Sequence, residues 1–325
     1  MRSRRNAFME LTRREALLWA GAAALSATPA LARAAGSPRA LVTADLESAI
    51  VVVEPRSGRA LGRIACRPDP RSIERVGVAR ALVAHTAGGE VSLVDGRRRR
   101  VDLVLSGLGE PRYAAVRSDS ALAYVTDSAG GRVLTIDLER GRVVHRVAVG
   151  GPARHLGLSK DGRRLWTALG NRAAEIAVLD LADPRRPRLV RRLRPPFLAH
   201  DVAAAPDGGF WVSSGDQRRM AVFAAGRTAP ARLLEADAPP QHIAFAGGVA
   251  YVASGDDGTL RAHRLSDGRR MWTATVPVGS YNVTTGSGLV VTPSLSMGTL
   301  SSVAPGRRSA SRTQVARSAH DACVI

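Results

Sequence analysis

Histidine is the residue type in this chain whose placement most invites chemistry. His155, His200, His242 and His320 are four of the seven histidines. Each opens a short apolar run, and they recur about 40 residues apart, or about twice that, which is the period of a repeated structural unit. Tyr113, Tyr281 and Ile73 hold the corresponding place in three other units. The register is open by one residue in the units of His200 and Tyr281, so Asn282 is an alternative to Tyr281. Neutral imidazole suits Cu, Zn, Fe and Ni, and three or four such rings are a full ligand set. Asp201 and Asp321 each directly follow a histidine and are placed to accept from a ring N–H.

The loops after the second run of each unit contribute a second set: Asp45, His85, Asp127, Asn171, Asp216 and the pair Asp256 and Asp257. If the units are arranged around one axis, these loops and the histidines share one face. The expected ligand-binding residues are therefore Tyr113, Tyr281, Asn282, Asp127, Asp216, Asp256 and His85, with His155, His200, His242 and His320 as metal ligands. Two readings stand side by side. One is a wet polar pocket for a small ligand, in which the rings cap backbone groups or bind water. The other is a single transition-metal site holding Cu, Zn or Fe.

Other chemistries find little support. Ser213, Ser214, Thr284, Thr285 and Ser294 have no local base, so a nucleophilic triad is not indicated. Gly255-Asp256-Asp257-Gly258 is hairpin chemistry, since no helix follows it to form a phosphate loop, and a Ca²⁺-loop spacing is absent. His145 and His263 fall on outer or third strands and are expected at the surface. Asp95, Asp137 and Asp180 recur at third-strand ends, where a carboxylate closes a turn through the backbone.

The elements that must position these residues are short β-strands. From Tyr113 to Gly150 four runs can be read: Tyr113 to Val116, Ala121 to Thr126, Val133 to Asp137 and Val143 to Val149. Turn signals separate them, as in Ala129-Gly130-Gly131 and Glu139-Arg140-Gly141. One such unit cannot bury both its faces. Copies anchored on Leu41, Leu82, Tyr124, Trp166, Trp211, Tyr251 and Val290 supply the neighbours, which predicts an all-β, seven-bladed propeller of four-stranded antiparallel blades. The first unit lacks its innermost strand at the N-terminal side. Ala319-His320-Asp321-Ala322 parallels Ala199-His200-Asp201-Val202, so the C-terminal segment is expected to fill that place and close the ring. Closure removes two unpaired sheet edges.

Pro152 to Trp166 with its Asp161-Gly162 turn, the Pro206-Asp207-Gly208 turn, Tyr124-Val125-Thr126-Asp127 and the run Val133 to Leu138 together resemble the YVTN-type seven-bladed propellers of exported bacterial proteins. The resemblance spans residues 39 to 325 and implies a fold far more than an activity. Three blades depart from it, with Gly77, Ala246-Gly247-Gly248 and Gly286-Ser287-Gly288 in place of the Pro-Asp-Gly turn.

The N-terminus reads as an export signal over residues 1–34, with the propeller domain over 35–325. Thr12-Arg13-Arg14-Glu15-Ala16-Leu17-Leu18 resembles a twin-arginine motif, an apolar segment from Leu17 to Ala30 follows, and Ala32-Arg33-Ala34 offers small residues for cleavage. The apolar segment is short of the ~20 residues that span a bilayer. A periplasmic or extracellular location follows, where Cys66 and Cys323 could pair, although the repeat places them far apart. The formal charge is +19, nearly all from arginine, with Lys160 the single lysine. The arginines are scattered in turns without interleaved aromatics, which argues against nucleic acid. The expectation is thus an exported monomer with no stable membrane insertion. It would bind a small molecule or protein at the channel mouth. The alternatives are a metal-dependent oxidoreductase or hydrolase using the histidines, or a lactonase-like enzyme.

Overall fold

A computed structural model describes residues 37–119, 121–304, 306 and 308–325. The export signal expected over residues 1–34 lies outside the described residues. Among them the chain forms seven four-stranded sheets. All neighbouring strands pair antiparallel. The third blade shows how local the cause is. Its strands are Pro111–Val116, Leu122–Asp127, Arg132–Asp137 and Arg142–Ala148, within two residues of the runs legible in the sequence. Asp137 closes the third turn, its Oδ1 accepting from the N–H groups of Glu139 at 3.2 Å and Arg140 at 3.0 Å. Asp95 does the same for Arg97 and Arg98. Asp180 departs from the pattern and pairs with Arg164 at 2.6 Å.

There is no single core. Seven apolar clusters each join two adjacent blades, one per interface around the ring. The second strands, such as Leu122–Asp127, are buried almost throughout, because a sheet packs on each of their faces. The outer strand Arg100–Leu105 instead alternates exposed and half-buried residues.

Blade 1 is completed from the far end of the chain. Ala322–Val324 pairs antiparallel with Ala40–Ala44, with Leu41 opposite Cys323. Ile325 and Arg39 exchange backbone hydrogen bonds of 2.9 and 3.0 Å. Cys323 is buried in this strand and Cys66 half-buried just past an outer strand; both thiols are free, and burial pushes the Cys66 thiol up to about 11. No helix among the described residues is long and apolar enough to cross a membrane.

Candidate functional site

The first residues of the inner strands form two stacked tiers around the axis rather than one ring. The lower tier is fixed by pairing. Ala114, Leu156, Val202, Ile243, Ile73 and Ala322 face the equivalent residues Val125, Thr167, Val212, Val252, Val83 and Val42 of the second strands. The residue before each is Tyr113, His155, Asp201, His242, Ser72 or Asp321. In blade 7, Asn282 takes this level; its carbonyl accepts from Thr292 at 2.5 Å, as that of Tyr113 does from Thr126 at 3.3 Å. One residue earlier stands the upper tier: Arg71, Arg112 and Arg154, then His200, Gln241 and Tyr281, with His320 closing the circle. The expectation of a single level is thereby corrected. Ile73 sits below the lower tier, and His200, Tyr281 and His320 sit above it.

The two tiers still meet. The ring centroids of His155 and His200 are 4.4 Å apart, those of His155 and His242 4.8 Å, and those of His200 and His242 6.0 Å. Tyr113 lies 4.1 Å from His155 and 5.6 Å from His242, across the axis from blade 3 to blade 6. Gly157 lets blades 4 and 5 come this close: a Cβ there would lie 2.7 Å from the carbonyl oxygen of Val202 and the nitrogen of Ala204, too close for any side chain.

Ring nitrogens of His155, His200 and His242 lie within 4.8 Å of one another. Nitrogens around a tetrahedral zinc stand about 3.4 Å apart, so small side-chain rotations would bring these three onto one ion. His155 is 1% exposed; the backbone of His200 comes near its ring, but neither ring nitrogen meets a partner at hydrogen-bond geometry. Nδ1 of His200 lies 3.3 Å from the carbonyl of Asn171. Burial, and then the neighbouring imidazoles, hold His155 and His242 well below the usual imidazole range; burial brings His200 and His320 down to about 4. The rings are therefore neutral at pH 7, with lone pairs free to ligate. His320 lines the mouth with its Nδ1 unpaired, outside the converging group. Burial also pushes the Tyr113 phenol up to about 12, so it is a neutral donor.

Beneath the imidazoles a chamber of about 230 Å³ is lined by Tyr113, His155, His242, Asp201, Asp321 and Glu74, among others. Asp201 and Asp321 do matching work. The N–H of Asp201 donates to Ser213 Oγ at 3.1 Å, that of Asp321 to Thr43 Oγ1 at 2.9 Å. Their Oδ2 atoms accept from Ile243 and Ile73 of the next blade, at 3.1 and 3.0 Å. Burial pushes both carboxyls up to about 7.

The remaining expected residues are committed elsewhere. Asp127 is buried and closes its own turn, accepting from the N–H groups of Glu110 and Gly130 and from Arg132. His85 is buried inside blade 2 between Pro68 O and Ser92 Oγ. Asp216 is exposed and accepts from Ser214 Oγ at 2.7 Å. Asp256 accepts from the Tyr281 hydroxyl at 3.0 Å, at the rim of the mouth. His263, expected at the surface, is buried against Gly268 O at 2.9 Å, and His145 is half-buried. Sequence reasoning missed the arginine arc and Gln241 of the upper tier. The signal was present as Arg71, Arg112 and Arg154, each one residue before a lower-tier position, but it was read as scattered turn charge.

The fold and site together define a seven-bladed β-propeller with a histidine group on its axis. Comparison with solved structures supports the fold. Hydrazine synthase of Kuenenia stuttgartiensis superposes with a TM-score of 0.71 at 14% identity, covering 82% of this chain and 92% of that one. Apo AztD from Citrobacter koseri gives 0.69 at 12% identity, covering 89% and 97%, and a second AztD structure from that organism gives 0.68. No family model matches the sequence, the YVTN-type model included, and no curated protein matches it.

Proposed function

We propose that this protein binds one divalent transition metal, zinc in the first instance, through His155, His200 and His242 at the channel mouth. The observation that carries the reading is His155, buried with both ring nitrogens unpaired and flanked by two more neutral imidazoles. A buried polar atom without a partner costs about 1–3 kcal/mol, and a metal–nitrogen bond removes that cost. Three neutral imidazoles with no thiolate favour zinc or copper over the alkaline-earth ions.

Binding, rather than catalysis, is favoured by what surrounds the group. Three protein ligands leave a fourth position for an exogenous ligand. Yet Asp201, the nearest carboxylate, already accepts from Ile243, and Asp256 is engaged by Tyr281. Neither is poised as a general base over that position. The metal is then the ligand itself, and a small molecule or protein meets the chain at the same face. We further propose that this happens outside the cytoplasm, after export through the twin-arginine-type signal and in a propeller of YVTN-like build.

The test is metal content of protein recovered from the exported fraction of its host. One equivalent of zinc or copper is expected, with loss of metal in His200→Ala and His242→Ala variants that keep the β-sheet circular dichroism of the wild type. Metal-free protein that takes up no zinc on titration would leave only a polar channel.

A further inference from the structure

Arg71, Arg112 and Arg154 come from consecutive blades and hold the same repeat position, so their side chains form one arc of the mouth. His200, Gln241 and His320 lie on the opposite arc. The three arginines differ in how they are balanced. Arg71 stands 3.8 Å from Asp45 and 3.9 Å from Asp69. Arg112 is paired with Glu110. Arg154 has no ion pair among the described residues, and its half-buried side chain lies beside neutral imidazoles.

Unpaired polar atoms concentrate at this spot. The Nε atoms of Arg112 and Arg154, Oε1 of Gln241, Nδ1 of His320 and both nitrogens of His155 are all buried without a partner. Most of them are donors, or can be. A guanidinium Nε–H that is withdrawn from water and given no acceptor is costly, and its planar fork matches the oxygens of a carboxylate or phosphate. Arg112, Arg154, Gln241 and His320 line a cavity of about 170 Å³, which suits a small anion rather than a polymer.

From this arrangement we infer a second ligand: a small oxyanion, carboxylate or phosphate, seated on Arg154 and Arg112 directly over the three histidines. The seat rests on the residues of the same mouth as the metal proposal, and with a metal in place the anion's oxygen would supply the fourth ligand. A divalent ion beside an unbalanced guanidinium is a concentration of positive charge, which an anion relieves. Metal and anion would then strengthen each other's binding by the same factor. The specificity follows: the protein would take its metal preferentially as a complex with a small acid.

Two titrations test this. Inorganic phosphate and acetate are each titrated calorimetrically into metal-free protein in a buffer of bulky organic ions. Acetate is also titrated into cobalt-loaded protein and followed by visible absorption, which reports an oxygen entering the cobalt shell. At least one anion should bind the metal-free wild type, and the better of the two names the carboxylate or phosphate class. Arg154→Ala should weaken that binding by about tenfold or more, Arg154→Lys by less, while zinc affinity in anion-free buffer is at or above the wild-type value, because the repelling guanidinium is gone. Absence of binding by both anions, or binding unchanged in Arg154→Ala, overturns the inference. The two readings fail separately. Protein that binds an anion through Arg154 but takes no zinc retains the seat and loses the metal site, and zinc binding without any anion response does the reverse.

Discussion

The carboxylate of Asp201 lies 4.0 Å from Nδ1 of His242 while its Oδ2 accepts the backbone N–H of Ile243, the next residue of that strand. One side chain of blade 5 thus fixes the start of the blade 6 inner strand and faces the imidazole that the strand carries. At 4.0 Å this is a charge contact rather than a hydrogen bond, and a carboxylate there favours positive charge on and around the ring. Asp201→Asn keeps an oxygen for Ile243 but removes the negative charge that the carboxyl carries above about pH 7. Zinc affinity is expected to fall by about 10- to 100-fold with little change in melting temperature. A competition titration against a chromophoric chelator measures it, and an unchanged affinity would separate Asp201 from the site.

Gly157 governs how closely blades 4 and 5 approach, because a methyl group there collides with backbone atoms of Val202 and Ala204. Gly157→Ala should part the strands that carry His155 and His200. Overpacking of this kind costs about 1–3 kcal/mol. A lower melting temperature together with weaker zinc binding is expected; a loss of stability alone would show that the imidazole contact tolerates the shift.

The last four residues act as the clasp of the ring. Ala322, Val324 and Ile325 are buried in the clusters on either side of blade 1, and burial of each large aliphatic side chain contributes about 1.5–3 kcal/mol. Deleting residues 322–325 removes that burial and exposes the edge of Ala40–Ala44. The loss approaches the roughly 5–15 kcal/mol that holds a typical domain together. The truncated chain is expected to be aggregated or largely unfolded by circular dichroism; a soluble variant melting like the full chain would contradict closure by this segment.

Glu74 is exposed to the channel yet surrounded by protein, and that crowding followed by the nearby Asp321 pushes its carboxyl up to about 8. The exposure of Glu74 tempers the size of this shift without reversing it. A carboxyl whose folded-state pKa is raised destabilises the fold as pH rises from its unfolded value of about 4.3 to its folded value. The penalty is complete above about pH 8. Glu74→Gln cannot ionise, so its advantage in melting temperature over the wild type should be absent near pH 4 and grow up to pH 8. A difference that stays constant across that window would show that Glu74 titrates normally.

Architecture was legible in the sequence because it is written many times over. Tyr113 to Gly150 carries four strands and three turns, and every other blade repeats enough of it to be aligned. Even the clasp could be read, since His320-Asp321 copies His200-Asp201. The site was legible only in part, because its geometry depends on single-residue offsets that a repeat of short strands does not specify. His200 stands one level above His155, yet the two ring centroids are 4.4 Å apart. Asp127 and His85 sit at promising positions, but their hydrogen bonds belong to a turn and to a blade interior. Arg154 went unread because, among so many arginines, nothing local marks it as a guanidinium beside the histidines without an ion pair among the described residues.

The most direct test of the account is X-ray absorption at the zinc edge of protein loaded with one equivalent of zinc. Convergence of His155, His200 and His242 predicts a shell of three imidazole nitrogens at about 2.0–2.1 Å with their outer-ring scattering, reduced in His155→Ala. A shell of oxygen atoms alone, or an imidazole signal identical in wild type and His155→Ala, would contradict it.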